Sequence, residues 1–275
     1  MKFRAFSVGI ASLVMLVGIS LIVLVQASVS PTQDEKTQAG NYKISGPYVY
    51  ENLSIFLIHG KDTIKGKKFL TLQEAMERKV VIVHETQTVS ELAIENVSAD
   101  EEVYVQSGDI VKGGNQDRVL TTDLIVPARS GRMPIAAFCV ERGRWSRRGN
   151  ESGGKFESST EVLATRDLKI AAKKTKSQSE VWAKVAEAQD KLSANASVSV
   201  NAQASASSLQ LSLEHSRVKE MTDSYIRKLS KVTEDEGDVI GYAFAINGRI
   251  SSADVYGSNA LFLKLWPKLL KASAV

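Results

Sequence analysis

The sequence holds one cysteine, Cys139, and three histidines, His59, His84 and His215. With a single thiol no intramolecular disulfide can form, so the core must do without a staple. The histidines stand far apart and none shows a paired-ligand spacing, which argues against a metal centre of the usual kinds. No metal and no cofactor is expected. Charge of one sign is also scarce: 35 Lys and Arg against 31 Asp and Glu leave +4, and removing Lys2 and Arg4 lowers this to 4 − 2 = +2. That surplus is too small to argue for a nucleic-acid surface. No G-x-S-x-G elbow marks an activated serine. The segment Gly108 to Asn115 has the glycines of a phosphate loop, but Gly114 and Asn115 stand where Lys and Ser or Thr are needed. No period of roughly 20–50 residues repeats, which excludes a solenoid. Cys139 itself sits in the apolar run Ile135 to Val140, the setting of a small buried hydrophobe rather than a reactive thiol.

What is there begins with a leader. Lys2 and Arg4 precede an apolar stretch from Ala5 to Val25, and Val25-Gln26-Ala27 places small residues where a signal peptidase reads. Residues 1–27 are therefore expected to be a cleaved signal peptide, putting the protein in the periplasm or outside the cell. About 20 apolar residues suffice to span a bilayer, so an uncleaved single-pass anchor is the alternative, and the leader would then be the chain's contact with a membrane. No cysteine lies near the junction, which excludes a lipid-modified one. Residues 28–41 are polar, with Pro31 and Gly40, and read as a linker. Residues 42–275 read as a single globular domain, and a 43% hydrophobic composition is ample for its core.

Periodicity predicts an α+β fold with a mainly β amino-terminal half containing one helix. Tyr48 to His59 favours one or two strands, and Val80–His84, Glu91–Asn96 and Glu102–Gln106 read as strands. Thr71 and Glu74 have the spacing of a capping box, predicting a helix that runs to about Lys79. A second box, Ser177 to Glu180, opens a helix with Val181, Val185, Ala188 and Leu192 on one face and Trp182 as a core anchor. Ala194 to Ser208 offers little to bury and reads as an exposed insertion or a weak helix extension. Leu211 to Val232 follows helical spacing. Asn247-Gly248 then joins Val239–Ile246 to Arg249–Tyr256 as a type I′ hairpin. A final helix starts near Ser258, with Pro267 expected to kink or restart it.

Glycines, paired polar residues and strand-like runs concentrate between Ser107 and Trp145. Gly113 and Gly114 permit a tight turn, and Val119–Val126 and Met133–Val140 read as a hairpin or as two strands of one sheet. Asp109, Lys112, Gln116, Asp117 and Arg118 would then gather at a strand entrance, with Glu141, Arg144 and Trp145 at an exit. Beyond them the loop SRRGNESGGK, with Arg147, Arg148 and Lys155, reads as a solvated loop or as part of an anion-binding face.

The run GDIVKGGNQDRVL, the later CVERGRW, SQSEVW at Ser177 to Trp182 and the carboxyl-terminal GYAFAINGRISSADVYGSNALFLKLWPKLLKA together resemble the ARG and rhodanese-phosphatase-superfamily-associated protein domain. Gly108, Gly113, Gly114, Gln116 and Arg118 match its pattern, while Asn115 stands where lysine is common and Asp117 where asparagine often appears. The resemblance implies one domain over most of the chain. It implies no catalytic assignment, since the family carries no established activity.

Three readings of the central residues follow. In one, the chain is a non-enzymatic binding or interaction domain of the cell envelope, and Asp109, Lys112, Gln116, Asp117, Arg118, Glu141, Arg144 and Trp145 recognise a partner protein or a small anionic or sugar-like ligand. In another, Asp109 and Glu141 form the carboxylate pair of a hydrolase. In the third, the polar residues tie the turn together.

Overall fold

The structure, a computed structural model, describes residues 37–39, 41–64, 66–159 and 163–275. The leader expected over 1–27 lies outside them, as does most of the expected linker. The first half runs β1 (Thr37–Ala39), β2 (Tyr42–Tyr50), β3 (Leu53–His59), β4 (Phe69–Thr71), α1 (Leu72–Glu77), β5 (Val81–Thr88), β6 (Glu91–Asn96) and β7 (Glu102–Val105). It continues with β8 (Ile110–Gly113), β9 (Arg118–Leu120), β10 (Leu124–Val126), β11 (Gly131–Cys139) and β12 (Phe156–Ser158). Helices dominate the rest: α2 (Arg166–Ile170), α3 (Gln178–Ala196), α4 (Leu209–Leu213) and α5 (Ser216–Leu229), then β13 (Val239–Ile246), β14 (Arg249–Val255) and α6 (Asn259–Ala274). The α+β expectation holds, with strands preceding helices and the hairpin returning at the end.

Among the described residues the strands form three sheets, ordered β1-β2-β3-β13-β14, β10-β7-β4 and β12-β8-β9-β11-β6-β5. The carboxyl-terminal hairpin completes the first sheet, because β13 pairs antiparallel with both β3 and β14. Asn247 and Gly248 turn it at φ +50° and +75°, as a type I′ turn requires. Along α6, Leu261, Phe262, Leu265, Trp266, Leu269 and Leu270 recur at helical spacing and pack on this sheet beside Tyr242. Each such side chain contributes about 1.5–3 kcal/mol of burial. A second core lies between the other two sheets and α1, and a third between β8, β9 and β11 and the helices α3, α4 and α5.

Local signals mostly survive the tertiary context. The Thr71 hydroxyl accepts the Glu74 amide at 3.2 Å and the Glu74 carboxylate takes the Thr71 amide at 2.8 Å, so the first capping box is complete. At the second, the Ser177 hydroxyl accepts the Glu180 amide at 3.4 Å.

Several expectations change. Val119–Val126 is two strands in different sheets, because Ser107 and Tyr104 bind the backbone of Thr121 and the carboxylate of Asp123 and turn the chain between them. Among the described residues, β1 at Thr37–Ala39 already pairs with β2, ahead of the start expected at Tyr42. Trp182 is half-buried with the Arg142 guanidinium 5.6 Å from its ring, rather than a core anchor. Ala194–Ser208 is not simply exposed, since Val200 and Ser208 are fully buried. Helix α6 runs unbroken through Pro267, which sits with Leu263 on its solvent side, where water can meet the carbonyl that proline leaves unbonded. Among the described residues no helix is long and apolar enough to cross a membrane.

Candidate functional site

The residues singled out between Ser107 and Trp145 separate into two buried groups. The larger one is built where β8 turns into β9. Gly114 takes φ +54°, and a Cβ there would collide with the Phe156 ring and the Glu85 carboxylate, so the backbone can close the turn only with glycine. That turn buries Gln116, Asp117 and Arg118 and sets Arg118 opposite Cys139 on β11. Directly after β11, Val140 donates its amide to Asp117 O at 3.0 Å, which brings Glu141 against the same turn.

Asp117 and Glu141 are fully buried and face two arginines. Arg144 Nη2 lies 2.6 Å from Glu141 and 3.4 Å from Asp117, while Arg148 Nη1 reaches Glu141 at 3.0 Å and Asp117 at 3.1 Å. Arg148 also holds Glu151 at 2.9 Å, and Ser208 Oγ donates to Asp117 at 2.9 Å. Backbone amides finish the arrangement: Gly113 donates to Asp117 Oδ1 and Asp117 donates to Glu141 Oε2. Burial and the neighbouring Glu141 push the Asp117 carboxyl up, with Arg148 opposing. Burial also acts to raise Glu141, but hydrogen bonds from Arg144, Ser205 and the Asp117 amide outweigh it and hold its carboxyl below the usual range.

Gln116 ties this group to the strands. Its Nε2 donates to Glu141 O at 2.9 Å, and its Oε1 accepts from Cys139 Sγ at 2.7 Å and from Arg118 Nη1 at 3.3 Å. Arg118 has no exposed surface, lies 3.7 Å from Glu85 and is roofed by Trp145, whose ring centroid is 5.6 Å away. Trp145 itself is 46% exposed. Lys112 stands at the edge of the group, paired with Glu214 at 2.8 Å and 3.9 Å from the Glu151 that Arg148 holds.

Asp109 belongs elsewhere. One of its oxygens accepts the Lys268 ammonium at 2.7 Å and the other accepts the Gln106 amide at 2.9 Å. It shares no partner with Glu141, so the two carboxylates proposed as an acid–base pair sit in different ion pairs.

Sequence reading missed Glu85, Ser208 and the role of Arg148. Nothing local distinguishes Arg148, whose side chain is 8% exposed, from exposed Arg147 beside it. Reading the loop as solvated fails at Arg148 and at Glu151, which it holds, because Asp117 and Glu141 are buried against this guanidinium.

A family model described as the ARG and Rhodanese-Phosphatase-superfamily-associated Protein domain matches residues 41–275. The chain belongs to this family. No curated protein and no solved structure matches it. The matched span contains every residue of the buried group, so the glycine turn and its arginine–carboxylate lattice lie inside the family domain.

Two clefts border these elements. One of about 650 Å³ lies beside α1, where six of the charged lining residues pair with one another: Lys67 with Glu102, Arg78 with Glu101 and Lys264 with Glu74. The other, about 280 Å³, opens at the start of the central stretch and is lined by Gln106 and Ser107, by Arg166, Lys169, Lys173 and Lys174, and by Asp123, Ser252 and Asp254. Four cations there face two carboxylates; Lys173 lies 3.8 Å from Asp123, and Arg166 lies 3.5 Å from Asp167 outside the lining. Lys173 and Lys174 project from a π-helical turn, Ala171–Thr175, directly after α2, and such widened turns recur at functional sites. Gly108, at φ +99°, lets the Lys169 stem lie on its backbone, since a Cβ would approach it to 2.7 Å.

Proposed function

We propose that the chain is a non-enzymatic binding domain of the cell envelope whose ligand is a small hydroxyl-bearing anion of the acidic-sugar kind, held in the cleft beside Gln106. The observation that carries this reading is the Gln106 side chain. It is 3% exposed, its Nε2 donates to the Tyr256 hydroxyl at 2.6 Å, and its Oε1 has no hydrogen-bond partner. Exchanging the amide oxygen and nitrogen still leaves one polar atom without a partner, and such an atom is costly unless something binds it. The atom is buried against the cleft wall, so a ligand reaches it only with a turn of the Gln106 side chain; a ligand hydroxyl, as donor or acceptor, would then satisfy either orientation. The Lys169, Lys173, Lys174 and Arg166 rim suits an anionic group, and Asp123, Asp254 and Ser252 offer acceptors for further hydroxyls.

The alternative, a hydrolase using Asp109 and Glu141, is weakened by their separate ion pairs. Export rests on the leader. Fractionation should find a shortened chain beginning near Ser28 in the envelope or medium, whereas a full-length species confined to membranes would replace export with the anchor.

Isothermal titration with glucose 6-phosphate, glucose and inorganic phosphate tests the ligand class. The sugar phosphate should bind at least about tenfold tighter than either half, a difference of about 1.4 kcal/mol. The Lys173→Ala/Lys174→Ala variant should lose that preference. No binding of any probe, or equal binding by the variant, would sink the reading.

A further inference from the structure

Ser45, His59 and Asp238 lie in a line that invites a catalytic interpretation. Ser45 Oγ is 2.7 Å from His59 Nε2, and His59 Nδ1 is 2.7 Å from Asp238 Oδ1. These are the contacts of a serine–histidine–aspartate triad, but its burial runs in the opposite sense. A nucleophile must face substrate while the orienting carboxylate is buried. Here Ser45 is 7% exposed, and the Asp238 side chain is 55% exposed. His59 itself is 1% exposed, but its Nδ1 is the nitrogen that faces the carboxylates reaching solvent, and a second one arrives there: Glu236 Oε2 stands 3.9 Å from it, on a side chain 31% exposed.

We propose that His59 Nδ1, Asp238 and Glu236 form a site for a divalent transition-metal ion. Their three ligand atoms lie within 4.8 Å of one another. Ligands on a tetrahedral ion with bonds of about 2.1 Å sit about 3.4 Å apart, and the 2.7 and 3.9 Å separations fall on either side of that value. Both carboxylates reach solvent, and an ion would draw them to that spacing in competition with the other contacts they make. Without an ion, the 2.7 Å contact to the Asp238 carboxylate calls for a proton on Nδ1; an ion bound there would displace that proton, and the imidazole would keep an Nε2–H that donates to the Ser45 hydroxyl as the outer partner.

The scaffold is already in place. His59 is anchored in the sheet between Lys43 of β2 and Val239 of β13. The Gly60 amide donates to Asp238 O at 2.9 Å, and Asn259 at the start of α6 donates to Val239 O at 2.6 Å and Glu236 O at 3.4 Å. One imidazole nitrogen and two carboxylates make a borderline donor set, suited to Zn²⁺, Co²⁺ or Mn²⁺ better than to Ca²⁺. Three protein ligands at a solvent edge leave a coordination position for water or for a donor from a partner. None of these residues lines the Gln106 cleft, so this site stands or falls independently of the proposed ligand.

Titration of the metal-free full chain with Zn²⁺, and with Co²⁺ for its visible absorption, tests the proposal. One equivalent should bind, with a Co²⁺ band of nitrogen–oxygen coordination. Asp238→Asn and Glu236→Gln should each weaken binding by about tenfold or more, and Ser45→Ala by a similar factor through the outer hydrogen bond. The two carboxylate variants carry the decision because their side chains reach solvent, and circular dichroism and urea midpoints of each variant separate loss of a ligand from loss of the fold. Absence of stoichiometric binding, or binding that survives the double variant Asp238→Asn/Glu236→Gln, would overturn it. So would covalent labelling of Ser45 by a fluorophosphonate, since that would show the serine end to be the reactive one.

Discussion

Gln178 pairs with the backbone of Cys139 in both directions: its Oε1 accepts the Cys139 amide at 2.9 Å and its Nε2 donates to the Cys139 carbonyl at 2.9 Å. At this end of β11 the strand β6 has already left, its last pair being Ala136 with Glu91. The side-chain amide takes the place of the missing strand and ties the first residue of α3 to the sheet.

Gln178→Ala orphans a backbone donor and a backbone acceptor at one point. Stability to urea should fall by about 1–3 kcal/mol. A loss under about 0.5 kcal/mol would mean that water satisfies both groups and that α3 is held by its apolar face alone.

Arg148 bridges Asp117, Glu141 and Glu151. Arg148→Ala leaves two buried carboxylates short of a counter-charge and should cost about 3–5 kcal/mol. Arg148→Lys should recover only part of this, because a single ammonium cannot fork between carboxylates. Arg147→Ala, one residue earlier and exposed, should change stability by no more than about 0.5 kcal/mol. Equal losses for Arg147→Ala and Arg148→Ala in urea unfolding would refute the lattice.

Acid should destabilise the fold through Glu141 and Glu214. Burial opposes ionisation at both, but Arg144 and Ser205 at Glu141, and Lys112 at Glu214, hold the carboxyls below their ordinary value of 4.5. A depressed carboxyl binds fewer protons folded than unfolded, so its stabilisation is complete above that value and is lost as pH falls through the folded value. Asp117 works in reverse: raised by burial and by Glu141, it imposes a penalty at neutral pH that protonation relieves. Urea midpoints measured from pH 7 to pH 3 should therefore decline below about pH 4.5. The decline should be shallower in Glu141→Gln and steeper in Asp117→Asn, and identical slopes in all three proteins would contradict these directions.

Cys139 should be inert in the native protein. It has no exposed surface, and burial pushes its thiol up to about 11 against the pull of Arg118. A disulfide exchange reagent at pH 8 should label it at the rate of structural opening, and at once in denaturant. Rapid native labelling would show that Gln116 and Arg118 form an open pocket around the thiol.

What the sequence by itself determined was local. Thr71 and Glu74 cap a helix, Asn247-Gly248 closes a hairpin, Leu261, Phe262, Leu265 and Leu269 mark one face of a helix, and the burial of Cys139 follows from its apolar run, because each depends on residues a few positions apart. The glycine turn at Gly113 and Gly114 was legible for the same reason, and with it the gathering of Gln116, Asp117 and Arg118. Partnership across the chain was not. Asp109 meets Lys268, Asp117 meets Ser208, and His59 meets Glu236 and Asp238 over separations of 159, 91 and more than 170 positions. Buried charges select partners by desolvation, which acts only once the sheets and helices have packed. A side chain such as Arg148 therefore carries no sign in its neighbours of the two carboxylates it will face.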